Sequence, residues 1–163
     1  MRGASRTPIG FVCESDRPLD DKEQTIFWIR CKNLEMGNYT TARYSRAQKD
    51  RVDGGRDWDP VQLSRADVED FLTVCSRVDN YSWSESYLEN HPEARGSLNE
   101  LGFCKQPIAD PKVLEDLAKD LPSAIFTEVM GAAANQIRLN AGAKKNLNFS
   151  PSMQSGGPLT PSA

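Results

Sequence analysis

Proline-marked helix openings constrain this chain more than any other feature. Asp59-Pro60 and Asp110-Pro111 each offer a carboxylate to the first orphan N–H groups of a helix, and a proline where the lost N–H costs nothing. Leu121-Pro122 closes one helix and starts another in the same way. Between these marks the apolar residues fall at helical spacing. Val68, Phe71, Leu72, Cys75 and Val78 stand at i, i+3, i+4, i+7 and i+10, the pattern of one buried helical stripe. The next segment has Ser82 or Ser84 as its cap and Trp83, Tyr87 and Leu88 as its apolar residues, and it ends before Pro92. Pro92 opens a further helix with Ala94, Leu98 and Leu101 on one side and Gly102 as its left-handed stop. Val113, Leu114, Leu117 and Ala118 line the helix after Asp110. The last helix carries Ile125, Phe126, Val129, Met130, Ala133, Ala134 and Ile137 and ends at Gly142. Its small residues, Gly131 to Ala134, permit close approach of another helix from this chain or a partner.

The amino-terminal part has a different period. Ile9, Phe11 and Cys13 alternate with polar neighbours, as do Phe27, Ile29 and Cys31, while Glu14, Arg30 and Lys32 take the opposite face. A polar stretch from Ser15 to Gln24 joins the two runs, so the pattern predicts an antiparallel hairpin with a long loop. A lone hairpin is unstable in water, and its apolar face must lie on helices. From Glu35 to Arg51 the composition predicts a helix whose apolar side is only Met36, Tyr39 and Ala47, running into the loop Asp53-Gly54-Gly55. The fold class is therefore α+β and predominantly α: an amino-terminal β-hairpin packed on a small bundle of about five helices. The expected organisation is one domain over residues 1–142, with the hairpin at 8–34 and the helical part at 35–142. Ser150 to Ala163 hold four Ser, three Pro and two Gly, nine of 14 residues that build no core, so 143–163 is expected to be a disordered tail.

Charge and residue counts narrow the function. With 163 residues, a net charge of −3 and a pI near 5.2, the chain is not basic enough to coat nucleic acid over its whole surface. A local contact remains open: Arg43, Arg46, Lys49 and Arg51 interleave with Tyr44, as phosphate contacts and a base-stacking ring would, although a solvated helix face has the same composition. From Asp59 to Leu101 nine acids face three arginines, a net of −6. Cys13, Cys31, Cys75 and Cys104 form no CxxC pair, and His91 is the single histidine, in Asn90-His91-Pro92 at a helix boundary. There is no GxSxG elbow, and Gly54-Gly55 is followed by no GK[ST]. The reading is a non-enzyme without metal or cofactor. The longest apolar run, Ile26 to Ile29, is far short of the roughly 20 residues of a membrane span, and no leader-like apolar segment follows Arg2 and Arg6, so a soluble cytosolic protein is expected.

The order of these elements resembles the tail assembly chaperones of long-tailed bacteriophages. The segments carrying the likeness are FVCESDRPL, EQTIFWIRCKNLEMGNYTTAR, and DLPSAIFTEVMGAAANQIRL running into KKNLNFSP. In that family an acidic turn precedes a strand of the type xFxxRxLT; the matching residues here are Phe27, Arg30, Asn33 and Leu34, with Asn-Leu in place of Leu-Thr. Leu121, Pro122, Lys145, Asn146, Leu147, Ser150 and Pro151 match its later pattern, whereas Asp53 to Cys104 carries no part of the likeness. The resemblance implies a binding protein of the host cytoplasm. It would keep the helical tape-measure protein soluble until tail-tube subunits polymerise around it, since bare apolar stripes aggregate. A helix-accepting groove would then be lined by Phe71 and Leu72 with Phe126, Met130 and Ala134. Two alternatives stay open, a small nucleic-acid-contacting protein using segment 43–56 and a structural tail or connector subunit. Whether the chain is a homo-oligomer is also open.

Overall fold

The computed structural model describes residues 7–134. The expected tail at 143–163 and the last helix's final turns, with Ile137 and Gly142, lie outside the described residues. Within them the fold is α+β, with a small antiparallel sheet from the amino-terminal hairpin set against helices. Strands β1 (Ile9–Phe11) and β2 (Ile26–Ile29) pair antiparallel, Phe11 facing Phe27 and Ile9 facing Ile29, so the alternation puts Phe11, Cys13, Phe27 and Ile29 inside. The loop between them is tied internally, with Thr25 N–H donating to Asp16 Oδ2 at 3.2 Å and Gln24 Nε2 donating to the Leu19 carbonyl at 2.9 Å.

Helix α1 (Leu34–Arg46) starts at Asn33, whose side chain accepts from Met36 N–H at 2.8 Å, and it buries no residue. It stops earlier than the expected Arg51. Ala47 is fully buried, and the chain then forms a two-stranded ribbon, β3 (Gln48–Asp50) with β4 (Arg56–Trp58). Gly54 turns its tip at φ 81°, a conformation that side-chain-bearing residues rarely adopt.

Helix α2 (Pro60–Val74) opens as its sequence demands, Asp59 accepting from Val61 and Gln62 N–H. It does not reach Val78. The expected helical stripe breaks at Val74, and Cys75–Asp79 is strand β5, paired antiparallel with β2. The order β1-β2-β5 places β2 in the centre, and Phe11, Phe27 and Val78 form one buried row across all three strands. The register skips Ser76 between Trp28↔Arg77 and Ile29↔Cys75, a bulge that keeps both Cys75 and Val78 inward. On the outer face Trp28 lies beside Gly10, where an added Cβ would sit 3.1 Å from Ile26 and 3.7 Å from the Trp28 ring. Trp28 Nε1 donates to Asp79 at 2.9 Å, and the Arg77 guanidinium lies 5.2 Å from the ring centre.

Asn80, at φ 53°, turns the chain out of the sheet. Helix α3 (Glu85–Asn90) takes Ser84 as its cap and stops before Pro92. Pro92–Ser97 is a 3-10 segment rather than the expected α-helix to Leu101; it contains Gly96 and buries none of its residues. Gly102 does hold the left-handed conformation, but in a turn organised by the Asn99 side chain, which accepts from Leu101 and Phe103 N–H. Ile108 then bridges to Val78 through two backbone bonds of 2.8 and 2.9 Å, covering part of the outer edge of β5. Helices α4 (Pro111–Asp120) and α5 (Ser123–Ala134) complete the described chain, with Leu114, Leu117, Val129 and Ala133 in a core shared by the sheet and α2.

One polar group is sealed into this assembly. Asp70 on α2 is 3% exposed and accepts from Lys32 Nζ at 2.6 Å and Thr40 Oγ1 at 2.6 Å, with Arg43 at 3.5 Å. Replacing it by alanine would strand a buried ammonium without its partner. Asp70→Ala is expected to cost about 3–5 kcal/mol of unfolding free energy, seen as a lower urea midpoint at unchanged slope.

Candidate functional site

Phe71, expected to line a partner groove, is instead fully buried and stacks on Phe126 with ring centres 6.3 Å apart. That is a correction with a plain cause: the widest apolar ring on α2 is needed to join the sheet to α5. Leu72, Phe126 and Met130 are half-buried against the same core, and Ala134 is exposed. These five residues are thus an interior ring with a partly open rim around it.

The basic segment is spent on internal contacts. Arg43 reaches Glu69 at 3.6 Å as well as Asp70, and Tyr44 donates a short hydrogen bond to Asp67. Burial and that carboxylate hold the Tyr44 phenol well above its usual range. Lys49 pairs with Asp59 at 2.6 Å, and its hydrogen bond keeps the Asp59 carboxyl below its usual value. Arg51 pairs with Asp53 at 2.8 Å, and Arg56 with Asp50 at 3.7 Å. Arg46 is exposed. Arg43, Tyr44, Lys49 and Arg51, all expected at a phosphate backbone, therefore face carboxylates of this chain, which would compete with phosphate for them.

Beside these charged groups, the same elements leave several large apolar side chains outside. Leu34 and Tyr39 on α1, Val52 at the ribbon tip, Trp58 on β4 and Val61 in the first turn of α2 are all exposed, Val61 at 73%. The strands of the ribbon are exposed throughout, so their side chains serve no core of their own.

A second feature lies between α3 and α4, where a cleft of about 250 Å³ is lined by Ser86, Tyr87, Asn90, His91, Asp116, Lys119 and Asp120. Asp120 in this lining accepts from Tyr81 Oη at 2.9 Å, Ser84 N–H at 3.0 Å, and the Ser84 hydroxyl through a short bond. This one carboxylate fixes the start of α3 against the end of α4. Burial, then Asp120, keeps the Tyr81 phenol protonated far above its ordinary range. Trp83, Tyr87 and His91 stack in succession, with ring centres 3.9 and 4.3 Å apart and planes 14° and 26° apart. Burial and the carboxylates Asp116, Glu93 and Asp120 raise the Tyr87 phenol too. Sequence reasoning places His91 at a helix boundary but misses the cleft, because Asp116 comes from an element 25 positions further on. The i, i+4, i+8 spacing of Trp83, Tyr87 and His91 is the one signal of the stack that the sequence offers.

Cys13, Cys75 and Cys104 are buried, and no disulfide links the four cysteines. Burial, then Glu128 and Asp16, pushes the Cys13 thiol up to about 12, and burial alone pushes Cys75 to about 12. Neither has the lowered pKa of a catalytic thiol. Among the described residues no three His, Cys, Asp or Glu side chains gather as metal ligands do, and no helix is long and apolar enough to cross a membrane.

The chain matches no family model, no curated protein and no solved structure.

Alkylation at pH 8 is expected to modify Cys13 and Cys75 at least about 100-fold more slowly in the folded protein than in urea, as read by mass spectrometry of digested peptides over time.

Proposed function

We propose that this chain is a non-enzymatic assembly factor of the phage tail chaperone kind, which covers the apolar stripe of a helical tape-measure protein until tail-tube subunits replace it. The observation that carries the reading is the exposed apolar set on α1, the β3–β4 ribbon and the start of α2: Leu34, Tyr39, Val52, Trp58 and Val61. A solvent-facing tryptophan and an exposed valine three residues on contribute nothing to this chain's own core, yet both bury well under an amphipathic helix. Reversible holding needs such a surface: apolar enough to compete with self-association of the client, small enough to let go. The internal pairing of Arg43, Lys49, Arg51 and Arg56 favours this reading over a nucleic-acid contact. Leu72, Phe126 and Met130 add a half-open apolar rim near α5.

Co-expression with the long helical tail protein of the same phage tests the reading. The native chain is expected to keep that partner in the soluble fraction and to be missing from purified particles by mass analysis. Retention in finished particles would favour the structural tail or connector role instead. Trp58→Lys and Val61→Lys are each expected to weaken capture by about 1–2 kcal/mol, roughly tenfold, while the melting temperature stays within about two degrees of the native value. Client solubility unchanged by either substitution would remove this surface from the binding role.

A further inference from the structure

The geometry points to the cleft between α3 and α4 as a receptor for one arginine side chain of a partner protein. It is built from elements other than the apolar surface and does not rest on the chaperone reading. Its groups sort by what they have left to offer. Asp120 already accepts from three donors, two at Oδ2 and one at Oδ1. Lys119 Nζ is engaged by Glu115 at 2.8 Å, and His91 Nδ1 lies 3.4 Å from Glu93. Asn90 donates its amide to the Ser86 carbonyl at 2.9 Å, which leaves its Oδ1 as an acceptor. The Asp116 carboxylate, half-buried in the lining, has no hydrogen bond or ion pair among the described residues. The Ser86 and Tyr87 hydroxyls, which make no side-chain hydrogen bond among the described residues, can donate or accept, so the acceptor-only groups left in the lining are Asn90 Oδ1 and the Asp116 carboxylate.

The aromatic stack supplies the shape. Tyr87 is sandwiched between Trp83 and His91, so the open ring face at the end of the series belongs to His91, whose side chain is 43% exposed. A guanidinium is planar, cationic and donor-only; it stacks on a ring face while its N–H fork takes a carboxylate, which a tetrahedral ammonium does less well. The volume, about 250 Å³, lies below the roughly 300–1,000 Å³ of small-molecule sites, so it suits one side chain rather than a cofactor. The charge around it is net acidic: Asp116, Asp120 and Glu93 bear on the Tyr87 phenol against one lysine in the lining, Lys119, which pairs with Glu115 and also feels Asp116.

The chain has only one histidine, so its ring protons give an unambiguous NMR signal for this cleft. N-acetyl-arginine amide, titrated into the full chain, is expected to shift the His91 ring and Asn90 amide resonances saturably with millimolar affinity. N-acetyl-citrulline amide, equal in shape but uncharged, and N-acetyl-lysine amide are expected to bind at least about tenfold more weakly. Asp116→Asn, which breaks no internal bond, is expected to weaken arginine about tenfold. His91→Ala, followed at the Asn90 amide, is expected to weaken it severalfold. Absence of a saturable shift at His91 overturns the proposal, as does citrulline or lysine binding as well as arginine, or an Asp116→Asn protein that binds like the native one.

Discussion

At 3% exposure the Asp70 carboxylate would be ruinous if left bare, since an unpaired charge at that depth costs several kcal/mol. Its compensation comes from two other elements at once: Lys32, just beyond β2, and Thr40 with Arg43 on α1. Helix α1 has no buried residue of its own, so apolar packing alone sets its position poorly. The carboxylate sets it instead, by demanding donors at fixed places. Tyr44 on Asp67, Arg43 on Glu69 and the buried Ala47 add to this hold, and Lys49 with Asp59 ties the ribbon to the start of α2. Replacing Asp70 and Lys32 together by well-packed apolar side chains would strand no charge, but it would remove the bonds that orient α1.

A second carboxylate repeats the logic at the other end of the core. Asp120 joins α4 to Tyr81 and to the cap of α3, and so defines the wall of the cleft that holds the ring stack. Both acids are spent on architecture. Asp116, one turn before Asp120, makes no such contact, and this difference separates a strut from a recognition group on the same helix. The two outward-facing features have different chemistry as a result. One is an apolar set on α1, the ribbon and the first turn of α2, and the other is an acidic cleft held by the Asp120 bonds between α3 and α4.

Where local chemistry dominates, the fold is legible in the sequence. Asp59, Asp110 and Ser84 cap their helices because a side-chain acceptor next to orphan N–H groups has few alternatives, and the alternation in residues 9–13 and 26–31 returns as buried Phe11, Cys13, Phe27 and Ile29. The failures have physical causes. Cys75 and Val78 continue the helical spacing of Val68 and Phe71 by coincidence. What makes them a strand is pairing with Ile29 and Phe27 of β2, far away in the chain and invisible to local periodicity. The β3–β4 ribbon has no apolar alternation to find, because neither face is buried. Phe71 reads as a binding residue for the same reason that it is a core residue, since both uses ask for a large ring on an apolar stripe. The cleft escapes local reading because its wall joins residues of two helices.

Helix α2 passes into β5 at Val74–Cys75 with no connecting loop, and both residues are buried. Slack is therefore missing where α2 runs into the sheet. A fluctuation that unzips the outer strand must pull on the last turn of the helix, and fraying of that turn must disturb the strand. Amide exchange across this junction should accordingly proceed by a single shared opening rather than two separate ones, with the ribbon and α1 opening more readily as a compliant periphery.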